Sequence, residues 1–292
     1  MAITASMVKE LRERTGLGMM DCKRALEETD GDLEKAIEEL RKKSALKAAK
    51  KAGRTTADGL LGLKVASDGT VAALIEVNIE TDFAAKNEKF IAFVQKTVDQ
   101  LFDSPDGDLE AVLAAGLDAE RETLVQEIGE NISVRRGTRV SSANGGIAAY
   151  LHGDNRKASL VVLSESNNEL GRDLAMHVTA INPLVVRSED VPQEVLAKER
   201  EIYTTQANDS GKPADIVEKM VEGRVRKYLA EVSLVDQPFV KDPNQKVGGL
   251  AKAAGVEIER FVRFEVGEGI EVEEEDFAAE VAAQLKDSEG ND

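Results

Sequence analysis

Apolar residues recur at helical spacing in the first part of the chain, in segments at 4–16, 17–31 and 32–53. The first segment ends at Gly16 and the second at the Thr-Asp-Gly run of residues 29–31. Asp32 stands where the N-cap of the third helix is expected. A helix with one apolar stripe buries that stripe against its neighbours. Residues 1–54 are therefore predicted to form a three-helix bundle.

From Gly59 the spacing of apolar residues changes from helical to strand-like. Two apolar segments flank residues 67–69, which read Ser-Asp-Gly and are typical of a hairpin turn. The pattern that follows predicts an amphipathic helix, a second helix over 109–129 and a strand over 132–142. This segment is predicted to be an antiparallel sheet with helices packed against it.

The order of hairpin and then helix occurs a second time at 145–182, with a turn at Asp154-Asn155. In this second copy Leu170 lies close to the position that Phe83 has in the first. A later strand at 256–267 could complete the second sheet. The chain is thus predicted to be an α+β protein with two related halves, each a small antiparallel sheet covered by helices on one face.

Two strongly charged helices between 192 and 231 are predicted to form an antiparallel hairpin that projects from the body, because their shared apolar stripe is narrow. The predicted stripe consists of Val195, Leu196, Ile202 and Tyr203 on the first helix and Ile216, Met220, Val221, Val225, Tyr228 and Leu229 on the second. A short helix at 247–255 and a last helix at 276–286 complete the prediction.

These elements predict five parts of the chain. They are a helical N-terminal domain at 1–54, a first half at 55–142, a second half at 143–184 together with 232–264, the helical hairpin at 185–231, and a C-terminal module with an acidic tail at 265–292.

Charge and cysteine content limit the classes of function. The net charge of −17 disfavours nucleic acid as the main partner, because affinity for phosphates comes from clustered Lys and Arg. The segment 41–54 nevertheless holds seven basic residues and no acid. An adaptor that binds RNA through this segment stays open as an alternative. The single cysteine, Cys22, excludes an internal disulfide framework and fits the reducing cytoplasm, where we expect the protein to act.

The chain shows none of the sequence motifs of phosphate-binding loops, serine hydrolases or zinc proteases. His152 is interpreted as a turn residue, His177 as a hydrogen-bonded residue beside a core helix, and Cys22 as a half-buried small residue. No metal or cofactor site is predicted. A binding protein is therefore favoured over an enzyme, with an enzyme that uses buried carboxylates as a third possibility.

The segment 76–90, EVNIETDFAAKNEKF, joins a strand to a helix and has two interpretations. Thr81 or Asp82 is well placed to cap the following helix. Phe83 precedes Phe90 by seven residues, so spacing alone places it near the apolar face of that helix, as a core or staple residue. The alternative is that Phe83 is exposed and contacts another protein.

Several long motifs in the chain resemble those of the bacterial elongation factor Ts family, over essentially the whole length. They are ITASMVKELRERTGLGMMDCKRAL and EVNIETDFAAKNEKF near the N-terminus, then KMVEGRVRKY, QPFVKD, and FVRFEVGEGIE with DFAAEVA, in the order of the family. One residue departs from the pattern, because Ala84 stands where the family usually has Val.

The resemblance implies a nucleotide-exchange factor without bond chemistry, whose partner is the GTPase elongation factor Tu. It implies that the N-terminal bundle is UBA-like and docks on the GTPase, with Met19 and Met20 among the contacts. It implies that the corner at 81–84 (Thr81, Asp82, Phe83 and Ala84) points outward and that Phe83 wedges beside the Mg²⁺ and GDP site. His152 is a weaker candidate contact. The resemblance implies no cofactor, no direct nucleotide binding and a possible dimer or larger assembly with the GTPase.

Overall fold

The computed structural model describes residues 3–209 and 213–271. The helix predicted at 276–286 and the acidic tail lie outside these residues. The described chain is α+β, as predicted. No helix within it is both long enough and apolar enough to span a membrane.

The N-terminal part forms the predicted three-helix bundle, with α1 at Ala5–Thr15, α2 at Met19–Glu28 and α3 at Leu33–Lys51. Asp32 caps α3, because its side chain accepts a hydrogen bond from the Lys35 N–H. Cys22 is fully buried in the bundle core, so the expectation of a half-buried residue is wrong. Its position between α1 and α3 explains this burial, which also raises the pKa of the thiol.

The first half contains a three-stranded antiparallel sheet in the order β1-β2-β3, formed by Asp58–Val65, Val71–Ile79 and Ile132–Ser141. The predicted hairpin turn joins β1 to β2. Gly69 in that turn has a φ of 67°, a conformation that favours glycine, and its N–H donates to the Ala66 carbonyl.

One face of this sheet is covered by helices α5 (Glu88–Asp103), α6 (Leu109–Val112) and α7 (Asp118–Ile128). The single helix expected over 109–129 is interrupted by a kink at Leu113–Leu117. Gly116 has a φ of 132° in that kink, a backbone conformation that a regular helix does not contain. The interruption therefore divides the predicted helix into α6 and α7.

The second half has the sheet order β4-β5-β8, formed by Ile147–Leu151, Lys157–Leu163 and Ile258–Glu265. The late strand β8 completes this sheet, as predicted. Helix α8 (Asn168–Ile181) packs on its outer face, beside a small hairpin of β6 (Pro238–Phe239) and β7 (Asp242–Lys246) and helix α11 (Val247–Ala253).

His177 of α8 is a buried, hydrogen-bonded residue, as predicted. Its Nδ1 accepts a hydrogen bond from the Val240 N–H, 3.1 Å away, and its Nε2 lies 2.9 Å from Gln237 Oε1. Burial lowers the pKa of His177, so the neutral ring is favoured. The histidine thus links α8 to the segment around β6.

The two sheets pack face to face through their inner sides. Leu61, Leu74 and Val140 of the first sheet form one apolar cluster with residues of the second. The contributors from the second half are Ile147, Ala158, Leu160, Val162 and Val266. The body consequently has four layers, in the order helices, sheet, sheet, helices, which the sequence patterns did not predict.

Helices α9 (Gln193–Asn208) and α10 (Ala214–Val232) form the predicted antiparallel hairpin. Its core contains Ala207, Val217, Val221 and Val225, with Leu196, Tyr203, Met220 and Leu229 packed against it. Two residues of the predicted stripe, Ile202 and Ile216, are exposed instead. The buried positions of α10 recur every four residues from Val217, and Ile216 falls on a neighbouring face.

The hairpin core is separate from the core of the second half, so removing the hairpin should leave the body folded. We expect replacement of 192–231 by a short Gly/Ser linker to change the melting temperature by less than about 4 °C, which corresponds to about 1 kcal/mol for a body of this size. Calorimetry or circular dichroism checks this. Loss of the cooperative transition would show that the hairpin is part of the body and that the predicted boundary is wrong.

Candidate functional site

A sharp corner follows the central strand β2. Thr81 is the N-cap of a one-turn helix, α4, at Asp82–Ala85, and its Oγ1 accepts a hydrogen bond from the Ala84 N–H at 3.2 Å. The same hydroxyl donates to Glu130 Oε1 at 2.7 Å, and the Thr81 N–H donates to Glu130 Oε2 at 3.0 Å. Thr81, and not Asp82, is therefore the cap, and Glu130 fixes it in place.

Phe83 is on this corner and is 82% exposed. The core position suggested by its spacing from Phe90 is wrong, because the two residues lie on different helices. Asn87 caps α5 separately, since its side chain accepts from the Lys89 N–H at 2.9 Å, and the helical register is broken there. The alternative expectation, that Phe83 is exposed, is confirmed.

Small residues anchor the corner from below. The side chains of Ala84 and Ala85 are buried in the core of the first half, beside strand β2 and helix α5. The structure therefore places Ala84 beneath the corner, whereas Thr81, Asp82 and Phe83 lie on its outer surface. A side chain larger than Ala at residue 84 would extend into the core.

An ion pair lies beside the exposed Phe83 ring. Lys86 Nζ lies 2.7 Å from Asp82 Oδ2 and 5.3 Å from the centre of the Phe83 ring. The hydrogen bond from Lys86 is the main reason that the pKa of Asp82 lies below its ordinary value. Because all three side chains are exposed, the ion pair contributes little to stability. The corner thus has the apolar Phe83 ring at its tip and the Asp82–Lys86 ion pair at its base.

His152 lies in an exposed turn between β4 and β5, as predicted, with its Nδ1 3.3 Å from the hydroxyl of Tyr150. This turn contacts the first sheet, since the Asn155 carbonyl accepts from the Leu61 N–H and Arg156 pairs with Asp58. Asp58 is opposite Ile79 in the β1–β2 ladder, two residues before Thr81. The structure thus brings the His152 turn to the end of β2 that carries the corner.

Met19 and Met20 open helix α2 and are 58% and 66% exposed. They line an apolar groove together with Ile3 and Val8. The same groove is also lined by the basic residues Lys9, Arg12 and Lys23. Sequence reasoning missed this basic rim, although the spacing of Lys9 and Arg12 on α1 could have indicated it.

Leu170 lies one residue from the counterpart of Phe83 when the helix caps of the two halves are aligned. Leu170 is partly buried against the second core, and its N–H donates to the cap residue Asn167 at 3.2 Å. In that role Leu170 corresponds to Ala84, whose N–H donates to Thr81. The second half therefore has no exposed aromatic residue at this position.

Much of the basic charge at 41–54 is already paired. Lys42 forms ion pairs with Glu38 and Glu39, Lys43 with Glu28, and Lys51 donates to the Gly129 carbonyl. Helix α3 also packs against α7 of the first half. These contacts weaken the case for an RNA-binding surface. Within residues 3–209 and 213–271, His, Cys, Asp and Glu form no group of three that could hold a metal ion.

The fold and the corner define a class: an α+β protein in which two packed sheets, a helical bundle and a helical hairpin accompany an exposed aromatic corner. A family model described as elongation factor TS matches residues 80–268. The elongation factor Ts of Hahella chejuensis is 59% identical over 98% of this chain and 99% of its own length. That of Saccharophagus degradans is 58% identical over 98% of both chains, and that of Teredinibacter turnerae 54% identical over 100% of both. The chain belongs to the elongation factor Ts family.

Substitutions in the corner should separate its support from its exposed tip. We expect Thr81→Val to destabilise the fold by about 1 kcal/mol, because the N-cap bond and the hydroxyl contact with Glu130 are lost. Phe83→Ala should cost less than about 0.5 kcal/mol, as for other surface substitutions.

The matched control is Phe90→Ala, the same change at a fully buried ring, which should cost about 3–5 kcal/mol. Urea unfolding measures all three variants. A loss for Phe83→Ala as large as that for Phe90→Ala would show that the ring is part of the core.

Proposed function

We propose that this chain is the exchange factor for the translational GTPase elongation factor Tu. It binds the GDP form of the GTPase, disturbs the Mg²⁺ and phosphate site, and promotes release of GDP so that GTP can bind. It performs no bond chemistry, needs no cofactor and does not itself bind the nucleotide. The site of action is the cytoplasm, and the complex is a dimer or a larger assembly with the GTPase.

The observation that carries this proposal is the exposure of Phe83 on a firmly held corner. An exposed ring could fold back or move freely if its backbone were mobile. Here the Thr81–Glu130 hydrogen bonds and the buried Ala84 and Ala85 fix the backbone on both sides of the ring. A preorganised apolar tip can enter a partner at little cost in conformational entropy. The proposed role of Phe83 is to wedge between elements of the GTPase beside the Mg²⁺ site.

The other candidate residues support the same partner at separate places. The His152 turn lies beside the corner and would add a contact from the second half. The groove at Met19 and Met20 would hold an apolar segment of the GTPase, and its basic rim favours a segment with acidic flanks. Burial of one Phe side chain contributes about 1.5–3 kcal/mol. Several contacts are therefore needed to empty the nucleotide site.

The direct test is the rate of GDP release from elongation factor Tu loaded with a fluorescent GDP analogue. We expect Phe83→Ala to slow the stimulated release by about 10-fold or more, because up to about 3 kcal/mol of wedge burial is lost. Ile91→Ala is the matched control, since Ile91 is an exposed apolar residue of the neighbouring helix α5. Full activity of Phe83→Ala would refute the role of the wedge. Absence of stimulation by the unmodified chain would refute the proposed function.

The groove at Met19 and Met20 should determine affinity more than the maximal rate. We expect the double substitution Met19→Ser and Met20→Ser to raise the KM for the GTPase about 5–30-fold, which corresponds to about 1–2 kcal/mol of lost apolar burial. The kcat should change by less than about twofold, since the corner is intact. Steady-state exchange at varied GTPase concentration measures both constants. An unchanged KM would remove this groove from the interface.

A further inference from the structure

Glu76 is fully buried in the central strand β2, five residues before the corner begins. Its Oε1 accepts hydrogen bonds from Asn78 Nδ2 at 3.0 Å, Arg135 Nη1 at 3.0 Å and the Gly267 N–H at 2.8 Å. Its Oε2 accepts from Arg136 Nε at 2.5 Å. Burial alone would raise the pKa of this carboxyl, but the four donors outweigh burial and hold the pKa below its ordinary value.

A β-bulge brings both arginines to the same carboxylate. Neighbouring residues of a regular strand point to opposite faces of the sheet. In the ladder between β2 and β3, however, Glu76 is opposite Arg136 and Val77 is opposite Val134, so Arg135 is an extra residue. The extra residue locally re-aims the strand, and both guanidinium groups can then reach Glu76.

The donors come from both halves of the protein. Gly267 follows β8 of the second half, whereas the two arginines belong to β3 of the first. The two arginines also contact residues of the second half. Arg135 donates to the Glu268 carbonyl, and Arg136 donates to the Glu265 carbonyl at 3.1 Å and pairs with the Glu268 side chain. Glu76 is thus the centre of a polar junction between the two sheets.

The turn that contains Gly267 packs closely against the first half. Gly267 has a φ of 75°, and a Cβ at this residue would lie 2.3 Å from the Ala57 carbonyl oxygen. Ala57 directly precedes β1. The turn therefore lies against the start of the first sheet while it donates to Glu76 in the middle of that sheet.

This junction constrains the packing of the two sheets in a way that their apolar contacts do not. The interface around Leu74 and Leu160 is apolar, and apolar contact has no preferred direction. A slide of one sheet over the other could keep much of that contact. It would, however, draw the Gly267 N–H away from the buried Glu76 carboxylate, and it would draw the acceptors at Glu265 and Glu268 away from the two arginines, which is unfavourable. Together with the Asn155–Leu61 hydrogen bond and the Arg156–Asp58 pair, the polar junction therefore selects one register between the sheets.

We propose that Glu76 is a positioning residue for nucleotide exchange: by fixing the register of the two sheets, it sets the spacing between Phe83 on the first and His152 on the second. The inference rests on the proposed function, because both residues are taken to contact the same GTPase. Glu76 itself does not touch the partner. Its effect is that the two contacts fit one surface together.

The variant that tests this inference is Glu76→Gln, which keeps the size of the side chain but replaces one acceptor oxygen with a donor amide. That amide faces a donor whichever way it points, so the junction is weakened. Spin labels on Glu88→Cys and Gly153→Cys, both on exposed residues, report the spacing between the corner and the His152 turn. The native Cys22 is buried, and a Cys22→Ala substitution in all labelled variants leaves only the two introduced cysteines to react with the label.

We expect a narrow distribution of label distances in the parent chain and a broadened or shifted one in Glu76→Gln. In exchange assays with elongation factor Tu we expect the KM for the GTPase to rise about 10-fold and kcat to change less than about twofold. A purely structural role would instead reduce the folded fraction, which lowers the apparent kcat and leaves KM unchanged. Thr97→Ala is the control, because Thr97 is a buried polar residue of α5 outside the junction.

Unchanged label distances or an unchanged KM in Glu76→Gln would overturn the inference. If that variant does not fold, Glu268→Gln weakens the same junction from its exposed side and should give a smaller change in the same direction. The two proposals can fail separately. An inactive parent chain would refute the exchange function, whereas an active parent with an insensitive Glu76→Gln would refute only the positioning role.

Discussion

Burial of strand β2 on both faces is the constraint on which the rest of the structure depends. Its residues alternate between the interface of the two sheets, as Leu74 does, and the helix-covered core, as Ile75 and Ile79 do. Such a strand cannot shift by one residue without exchanging both sets of contacts. Because Thr81 follows β2 after a single residue, the corner takes its position from the best-packed strand of the first half. An exposed ring is thereby presented at a fixed place.

Much of this fold could be predicted from the sequence because it depends on local chemistry. Helical spacing and an Asp32 cap indicate the bundle, and turn residues such as Gly69 indicate the hairpins. The packing of one sheet on the other could not be predicted from these signals, because it joins segments far apart in the chain. One signal was available: the continuous apolar run around Ala72–Ile75 is typical of a strand buried on both faces.

The candidate site could likewise be predicted from the sequence only in part. The cap at Thr81 follows from local preferences. The spacing between Phe83 and Phe90, however, indicates a core position for Phe83 only if both residues lie on one continuous helix, which they do not. The Asn87 cap, followed by Glu88 in the first turn, is a local signal for the break and could have corrected this. The role of Glu76 was not predictable, since three of the four donors to its carboxylate come from segments far away in the chain.

The proposed exchange mechanism depends on differential binding. A factor that bound the GDP form and the empty form of the GTPase equally well would shift nothing, however tightly it bound. A shift from 1% to 99% empty GTPase needs about 5.5 kcal/mol of difference, which is more than one aromatic side chain supplies. The separate surfaces at the bundle, the corner and the His152 turn can share this difference, provided that the fold holds them in one arrangement.

The most direct test of this account is a comparison of the affinity of the chain for nucleotide-free and for GDP-saturated elongation factor Tu, by titration calorimetry. The account predicts much tighter binding to the nucleotide-free form, with a ratio equal to the factor by which the chain weakens GDP binding. It further predicts that Phe83→Ala reduces this ratio. Equal affinity for the two forms, or a ratio unaffected by Phe83→Ala, would contradict it.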